Sequence, residues 1–451
     1  MQQNIFSRQR HRHRERGQTI LLVAISLVSL LAMAALAIDV VTLYVASSQI
    51  QRAADAAALA GAKAIADSGF TTLPPADPNY NTAQTLAQTM ATKAVNSMVG
   101  TSTINLVSGQ LPVMPAPPTF DFTTHPGSFQ IKVSLKSANL PTFFSKIWSG
   151  SAPTVTASAT AEAYNPSNLA TIAPIAPTSV KPWLVANQNP MDDAQFVNTV
   201  SGTWVVDSSA IGETLDLVSD CNSFRNNRCL PLVTNPPGAV SGSTSQVQYV
   251  PAEVTTPNTQ NVCPSCAGAT DYEQSIECAD VATSYRALSC GGGATQLIWN
   301  DRINPGAPPN GDNATSLGGQ CLIHASGEGS GQGQDLLTEP TPMFSAPYQI
   351  KQQSTGNFVT TSNSIVTIPI LDTVSGVQLT RGSSVTVDGF LQAFINQVDD
   401  GTGGGSSPPP AGSINITVLN IVGCSTTNNG ATPVVGGAGT SPIPVRLITP
   451  P

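Results

Sequence analysis

The residues best suited to chemistry are eight cysteines, Cys221, Cys229, Cys263, Cys266, Cys278, Cys290, Cys321 and Cys424, all in the second half of a 451-residue chain. An even number confined to one region fits disulfides made in an oxidising compartment. Cys221 with Cys229 is the first pair to expect, closing a short loop over residues 222–228, and the other six leave their connectivity open. Cys263-Pro264-Ser265-Cys266 has the spacing of a redox motif or of half a zinc site. A redox pair would open a helix after a strand, whereas this one sits among Pro, Asn and Gly. A second zinc half, from Cys278 with Cys290 or Cys321 with His324, lacks the short repeated spacing. Structural disulfides are therefore the preferred reading.

Other reactive groups are sparse. Of four histidines, His11 and His13 lie in a basic tail, His125 precedes Pro126 in a turn, and His324 precedes a glycine-rich loop at 326–333. That loop has neither the phosphate-loop lysine nor G-x-G-x-x-G spacing, and no G-x-S-x-G or H-E-x-x-H string occurs. Asp207-Ser208-Ser209-Ala210-Ile211 approaches the D-x-S-x-S metal motif but puts Ile211 where a hydroxyl ligand belongs. Asn310-Gly311-Asp312-Asn313 lacks the glutamate of a calcium loop and reads as a polar turn. The residues carry no hydrolase or nucleotide-enzyme signature, so no catalytic residue, metal ligand, cofactor or small-molecule substrate is assigned.

The elements that carry these residues begin with a membrane signal. Arg8, Arg10, Arg12, Arg14 and Arg16 oppose only Glu15, giving the first 17 residues +4 and leaving −12 for the rest of a chain whose net charge is −8. An acidic body argues against a nucleic-acid partner. Ile20 to Ile38 is apolar apart from two serines. At about 1.5 Å per residue it spans roughly 28 Å, close to a hydrocarbon core. The flanking arginines predict a cytoplasmic N-terminus. The competing reading is a signal peptide cut after Ala37, with Ala35 and Ala37 as the small residues. The run continues apolar through Val40, Val41 and Leu43, which favours a retained anchor. Either way the body is exported. Charged residues make up only 10% of the chain, against about a quarter in an ordinary globular protein, which also suits an envelope protein.

Residues 47–68 are alanine-rich and continue the helix, so one helix from about 18 to 67 is predicted, half in lipid and half a stalk. Here the chain resembles a known family. Gly17 and Gln18, the apolar run closing on Asp39, and then Gln51, Ala54, Asp55, Ala58, Leu59 and Gly61 within Q-R-A-A-D-A-A-A-L-A-G-A are similar to the N-terminal segment of TadE/TadG-like Flp pilus-assembly proteins. The resemblance is strongest over 16–66 and holds in outline to about 165. A prepilin would carry glutamate five residues past its processing glycine; Leu22 stands there, so the chain looks more like the larger anchored members. The resemblance implies tight-adherence pilus assembly, the inner membrane, and other pilus-assembly or envelope proteins as partners.

The predicted fold class is α+β. A small pilin-like unit covers 68–165, with a helix at 82–99, a strand around Phe129–Leu135, a short helix at 140–148 and a strand at 154–163. A Pro/Ala linker covers 166–182. A β-rich domain covers 183–451, with strands at 204–206, 364–371, 385–387, 414–422 and 445–448, a short helix at 390–398 and a flexible insert at 401–412. Its strand edges and loops would meet partners. The predicted function is a single-pass, non-enzymatic component of the bacterial inner membrane with a periplasmic or extracellular body, serving Flp pilus assembly or surface adhesion. One alternative is an adhesin or glycan-binding protein released by signal peptidase. The other is an extracytoplasmic enzyme of unknown type.

Overall fold

Alanine-rich sequence without proline lets the first helix run unbroken, and it is long: α1 covers Arg12–Ala66, 55 residues. A computed structural model describes residues 12–73, 76–100, 118–125, 128–137, 140, 153–165, 167, 177–198, 205–219, 221–225, 228–231, 246–253, 263–266, 270–280, 285, 296–299, 314–324, 331–338, 346–373, 384–399, 412–423, 435–436 and 439–448. The other helices are α2, Tyr80–Gly100, then α3, Asp271–Glu277, and α4, Ala314–His324. Among the described residues twelve strands build the two main sheets: β1 Thr119–His125, β2 Ser128–Ser137, β3 Val155–Tyr164, β4 Trp183–Ala186, β5 Thr214–Ser219, β6 Gln246–Glu253, β7 Gln296–Trp299, β8 Ile365–Leu371, β9 Ser384–Val398, β10 Ile414–Val422, β11 Val445–Ile448 and a two-residue strand, Gly331–Gln332, paired with β9. The chain divides into two compact units. One comprises residues 1–56, 94–120 and 133–159, and the other 57–93, 121–132 and 160–451.

In the first unit, α1 is apolar and largely exposed from Ile20 to Ile38, with Ile20 70% and Leu30 68% exposed. It is the one helix among the described residues long and apolar enough to cross a membrane. Burial begins at Asp39 and resumes at Ala46, Ile50, Ala53 and Ala54.

In the second unit, α1 continues as a packed core helix. Ala57, Ala58, Ala62, Ile65 and Ala66 have no exposed surface. A Cβ on Gly61 would lie 2.7 Å from Cδ1 of Ile131 and 3.0 Å from the carbonyl of Ala87. Only small residues allow α2 and β2 to come this close. Alanine in this half of α1 thus serves packing as well as helix propensity. The helix expected at 82–99 is α2, and the alternation expected in β2 is met, with Phe129, Ile131, Val133 and Leu135 buried. The sheet runs β1-β2-β3-β11. Val445–Ile448, expected with the C-terminal domain, pairs antiparallel with β3, Leu447 opposite Ala161. The short helix expected at 140–148 lies, beyond Leu140, outside the described residues.

The remaining strands close on themselves. β6 pairs antiparallel with β4, β4 parallel with β8, β8, β9 and β10 pair antiparallel in turn, β10 antiparallel with β5, and β5 parallel with β6. The result is a six-stranded barrel, across which β7 also bridges β6 and β9. Closure leaves these six strands without free edges, while the four-stranded sheet stays open at β1 and β11. Inside lie Val366, Ile368 and Ile370 of β8, Leu391, Ala393 and Ile395 of β9, and Ile416 and Val418 of β10. Phe390 and Phe394 point the other way into separate apolar clusters. This double burial corrects the short helix expected at 390–398. Phe390, Leu391, Phe394, Ile395 and Val398 repeat at helical spacing, but a strand buried on both faces produces the same pattern.

Candidate functional site

The chain leaves α1 inside the body. Asp67, Ser68, Phe70, Thr71 and Thr72 are all at most 5% exposed. The turn is made at Gly69, whose φ is +82° and whose Cβ, had it one, would lie 2.7 Å from the carbonyl of Leu419. Only glycine satisfies both demands.

A buried polar network meets this helix end. Asn420 of β10 donates to the carbonyl of Ala66 at 3.0 Å, answering one of the carbonyls a helix terminus leaves unpaired. Its side-chain oxygen accepts from the hydroxyls of Thr71 at 2.9 Å and Thr72 at 2.6 Å. Asn420 also donates to Gln392 of β9. Gln392 in turn donates to Asp67 at 3.2 Å and to Ser441 at 2.6 Å. Lys63, one turn back, pairs with Asp67. Asn165 donates to Thr72 at 3.2 Å and to the carbonyl of Ile421 at 2.8 Å. Burial pushes the Asp67 carboxyl above its ordinary range, and Lys63 and Gln392 oppose that shift. Phe70, Tyr80, Phe122 and Phe129 stack beside the turn, with Phe70 and Phe129 edge to face at 6.1 Å. Such an arrangement positions a helix end; it presents no nucleophile paired with a base.

Of the positions singled out by resemblance, Gly17 and Gln18 lie on the exposed start of α1 and Asp39 is 2% exposed. Gln51 donates to Asp55 at 2.8 Å and to the carbonyl of Ser158 at 3.2 Å. Ala54 and Ala58 are wholly buried, Leu59 is half-buried, and Gly61 makes the close approach to α2 and β2. The network residues Asn420, Gln392 and Asn165 escaped the sequence reading. Isolated amides in buried strands were the available signal, since an amide there needs partners.

Two disulfides are resolved, Cys263–Cys278 and Cys266–Cys321. The C-x-x-C cysteines thus bond to different partners, one just past the end of α3 and one within α4. Neither the dithiol redox pair nor the zinc half-site exists in this state. The side chains of Cys221 and Cys229, and the whole of Cys290 and Cys424, lie outside the described residues, as do the side chain of His125 and residues 310–313. Of the insert at 401–412, only Gly412 is described. His324 ends α4, and burial pushes its imidazole below the usual range.

The D-x-S-x-S near-match is a structural turn. Asp207 accepts from the backbone N–H of Ser209 at 2.9 Å, capping a short helix at Ser208–Ala210, and from the Ser209 hydroxyl. Ile211 belongs to the barrel core. Nearby Glu213 is pushed up to about 7, chiefly by burial and further by Asp192 and Asp207, against a hydrogen bond from Asn189. Among the described residues no group of three His, Cys, Asp or Glu is placed to hold a metal ion.

No curated protein and no solved structure matches the chain. Residues 17–64 match the Tad family, described as "Putative Flp pilus-assembly TadE/G-like". Residues 17–64 of α1, the helix that leads to Asp67 and the buried network, are thus similar to TadE/G-like proteins.

Proposed function

We propose that this protein is a single-pass, membrane-anchored, non-enzymatic envelope component that works with Flp pilus-assembly proteins. One observation carries the reading: the TadE/G-like helix runs without a break from a bare apolar stretch into a buried polar network in the β-rich body. A helix seated this way at its C-terminal end links the body along an unbroken helix to the apolar stretch. The arginines before Gln18 support a cytoplasmic N-terminus, and the disulfides support an exported body. The small-residue face that α1 presents to α2 and β2 at Gly61 supports a pilin-like element over 68–165. With the barrel closed, loops and the smaller sheet are the surfaces for envelope partners.

The test joins membrane extraction with partner capture. Expressed full length, the protein should resist carbonate extraction, keep the mass of a chain that includes Gln18 to Ile38, and crosslink to pilus-assembly proteins. Leu30→Lys, which puts a charge at the centre of the apolar run at a cost of about 3 kcal/mol, should release it. A soluble chain starting near Ile38 with no such crosslinks would sink the proposal and favour the secreted adhesin.

A further inference from the structure

The disulfide connectivity has a chemical cost of assembly. Cys263 and Cys266 flank a turn at Pro264-Ser265, yet each bonds elsewhere, across 15 and 55 residues. In an unfolded chain, loop closure falls off roughly as the three-halves power of length. The near-neighbour pair therefore meets more often than the first native pair, and far more often than the second. Synthesis adds to the bias, since Cys263 and Cys266 emerge before Cys278 and Cys321.

Late correction is blocked by packing. Cys263 is exposed, but its partner Cys278 and the other partner Cys321 are each 3% exposed. The two helices that carry those partners interlock, for a Cβ on Gly318 of α4 would lie 3.1 Å from Cβ of Ile276 in α3. The exchange must therefore happen before α3 and α4 dock.

We propose that the chain is a substrate of a thiol–disulfide isomerase, which acts on an early Cys263–Cys266 bond. The isomerase thiolate attacks Sγ of Cys266, forming a mixed disulfide and expelling Cys263 as a thiolate. The thiolate of Cys321 then attacks Sγ of Cys266, making Cys266–Cys321 and returning the isomerase thiolate. One disulfide replaces another, with no net electron transfer. Cys263 and Cys278 then form the second bond, passing two electrons and two protons to a disulfide oxidant. The idea accords with export of the body, but its test is run on purified chain, so the outcome is independent of where the protein resides.

The full chain, reduced and unfolded, would be refolded in detergent micelles with reduced and oxidised glutathione, with and without protein disulfide isomerase. Disulfides would be trapped by alkylation and mapped by mass spectrometry over time. The expected result is early dominance of the Cys263–Cys266 ring and at least tenfold faster conversion to Cys263–Cys278 and Cys266–Cys321 when isomerase is present. Native bonds forming first, or at one rate under both conditions, would overturn the proposal. The double variant Cys266→Ser, Cys321→Ser cannot form the ring, so isomerase should speed its Cys263–Cys278 bond only as an oxidant does, far less than it speeds conversion of the ring in the native chain. Equal acceleration of the two would also overturn it.

Discussion

The side-chain amide of Asn420 donates to the carbonyl of Ala66, the last residue of a 55-residue helix, at 3.0 Å. A strand residue deep in the barrel wall thereby closes the helix end. The same amide group serves Thr71, Thr72 and Gln392. Asn420→Ala would leave several buried groups without partners at once, and each orphan costs about 1–3 kcal/mol. The expected loss is about 3 kcal/mol or more in denaturant unfolding, with new protease cleavage between residues 67 and 73. A variant that unfolds within about 1 kcal/mol of the native chain would show that the network does not hold the helix.

Two glycines test the close approaches. At Gly69 alanine meets both a left-handed backbone, φ +82°, and the carbonyl of Leu419 at 2.7 Å. Gly69→Ala should cost more than about 2 kcal/mol. Gly17→Ala, where nothing lies within 4 Å, should leave the unfolding midpoint of the body unchanged. Equal effects from the two would contradict the packing described.

These two glycines also show what the sequence could disclose. The apolar run, the alanine-rich motif and the alternation of β2 were legible because each has one exposed and one buried face, or none buried at all. The barrel was not, because β8 and β9 bury both faces and lose the alternation that marks a strand. Its closure rests on pairings between segments as distant as Leu217 and Ile414, which no local pattern records. The network escaped for a similar reason: Asp67, Asn165, Gln392 and Asn420 lie far apart in the chain and meet only through the fold. Cysteine count gave the presence of disulfides, while their connectivity needed the positions of α3 and α4.

Acidity should matter to stability, with opposite signs on two sides of neutrality. Asp388 is pushed up to about 7 by burial first and by the like charge of Asp372 second, against a hydrogen bond from Asn187. The folded state keeps a proton that the unfolded chain releases near 3.8, so this group's stabilisation is full below that value and is lost as pH rises toward 7. Lys181, wholly buried, is pulled down to about 7 by burial, with Glu277 opposing. Between about 7 and 10.5 the unfolded chain binds a proton that the folded chain does not, so stability gains as pH rises through that window. Unfolding midpoints should therefore pass through a minimum near neutral pH. Asp388→Asn should flatten the acidic limb and Lys181→Met the alkaline one. A midpoint insensitive to pH from 4 to 7 in the native chain would contradict the first assignment.

The longer staple has a calculable worth. Cys266–Cys321 closes 55 residues, for which loop entropy in the unfolded chain corresponds to about 4 kcal/mol. The Cys266→Ser, Cys321→Ser variant should lose about 2–4 kcal/mol by denaturant midpoint. Because α4 packs against the barrel through Gly319, near Val398, the loss should expose Val398 to solvent, seen as faster amide exchange at the end of β9. Unchanged exchange with a lowered midpoint would place the effect in the unfolded state alone.

Continuity of α1 is the property on which the proposed attachment depends, and Ala57 is where it can be cut. The residue is wholly buried and lies well inside the helix. Proline there removes one helical hydrogen bond and collides with the carbonyl four residues back, costing about 3 kcal/mol or more. Ile20 to Ile38 is untouched, so Ala57→Pro should still resist carbonate extraction. Its body should be cleaved near the break and lose crosslinks to pilus-assembly partners. Asp55→Ala, which removes one exposed hydrogen bond from Gln51, should change stability by less than about 1 kcal/mol. If Ala57→Pro instead keeps its crosslinks and its protease resistance, membrane tethering alone suffices and helix continuity has no role.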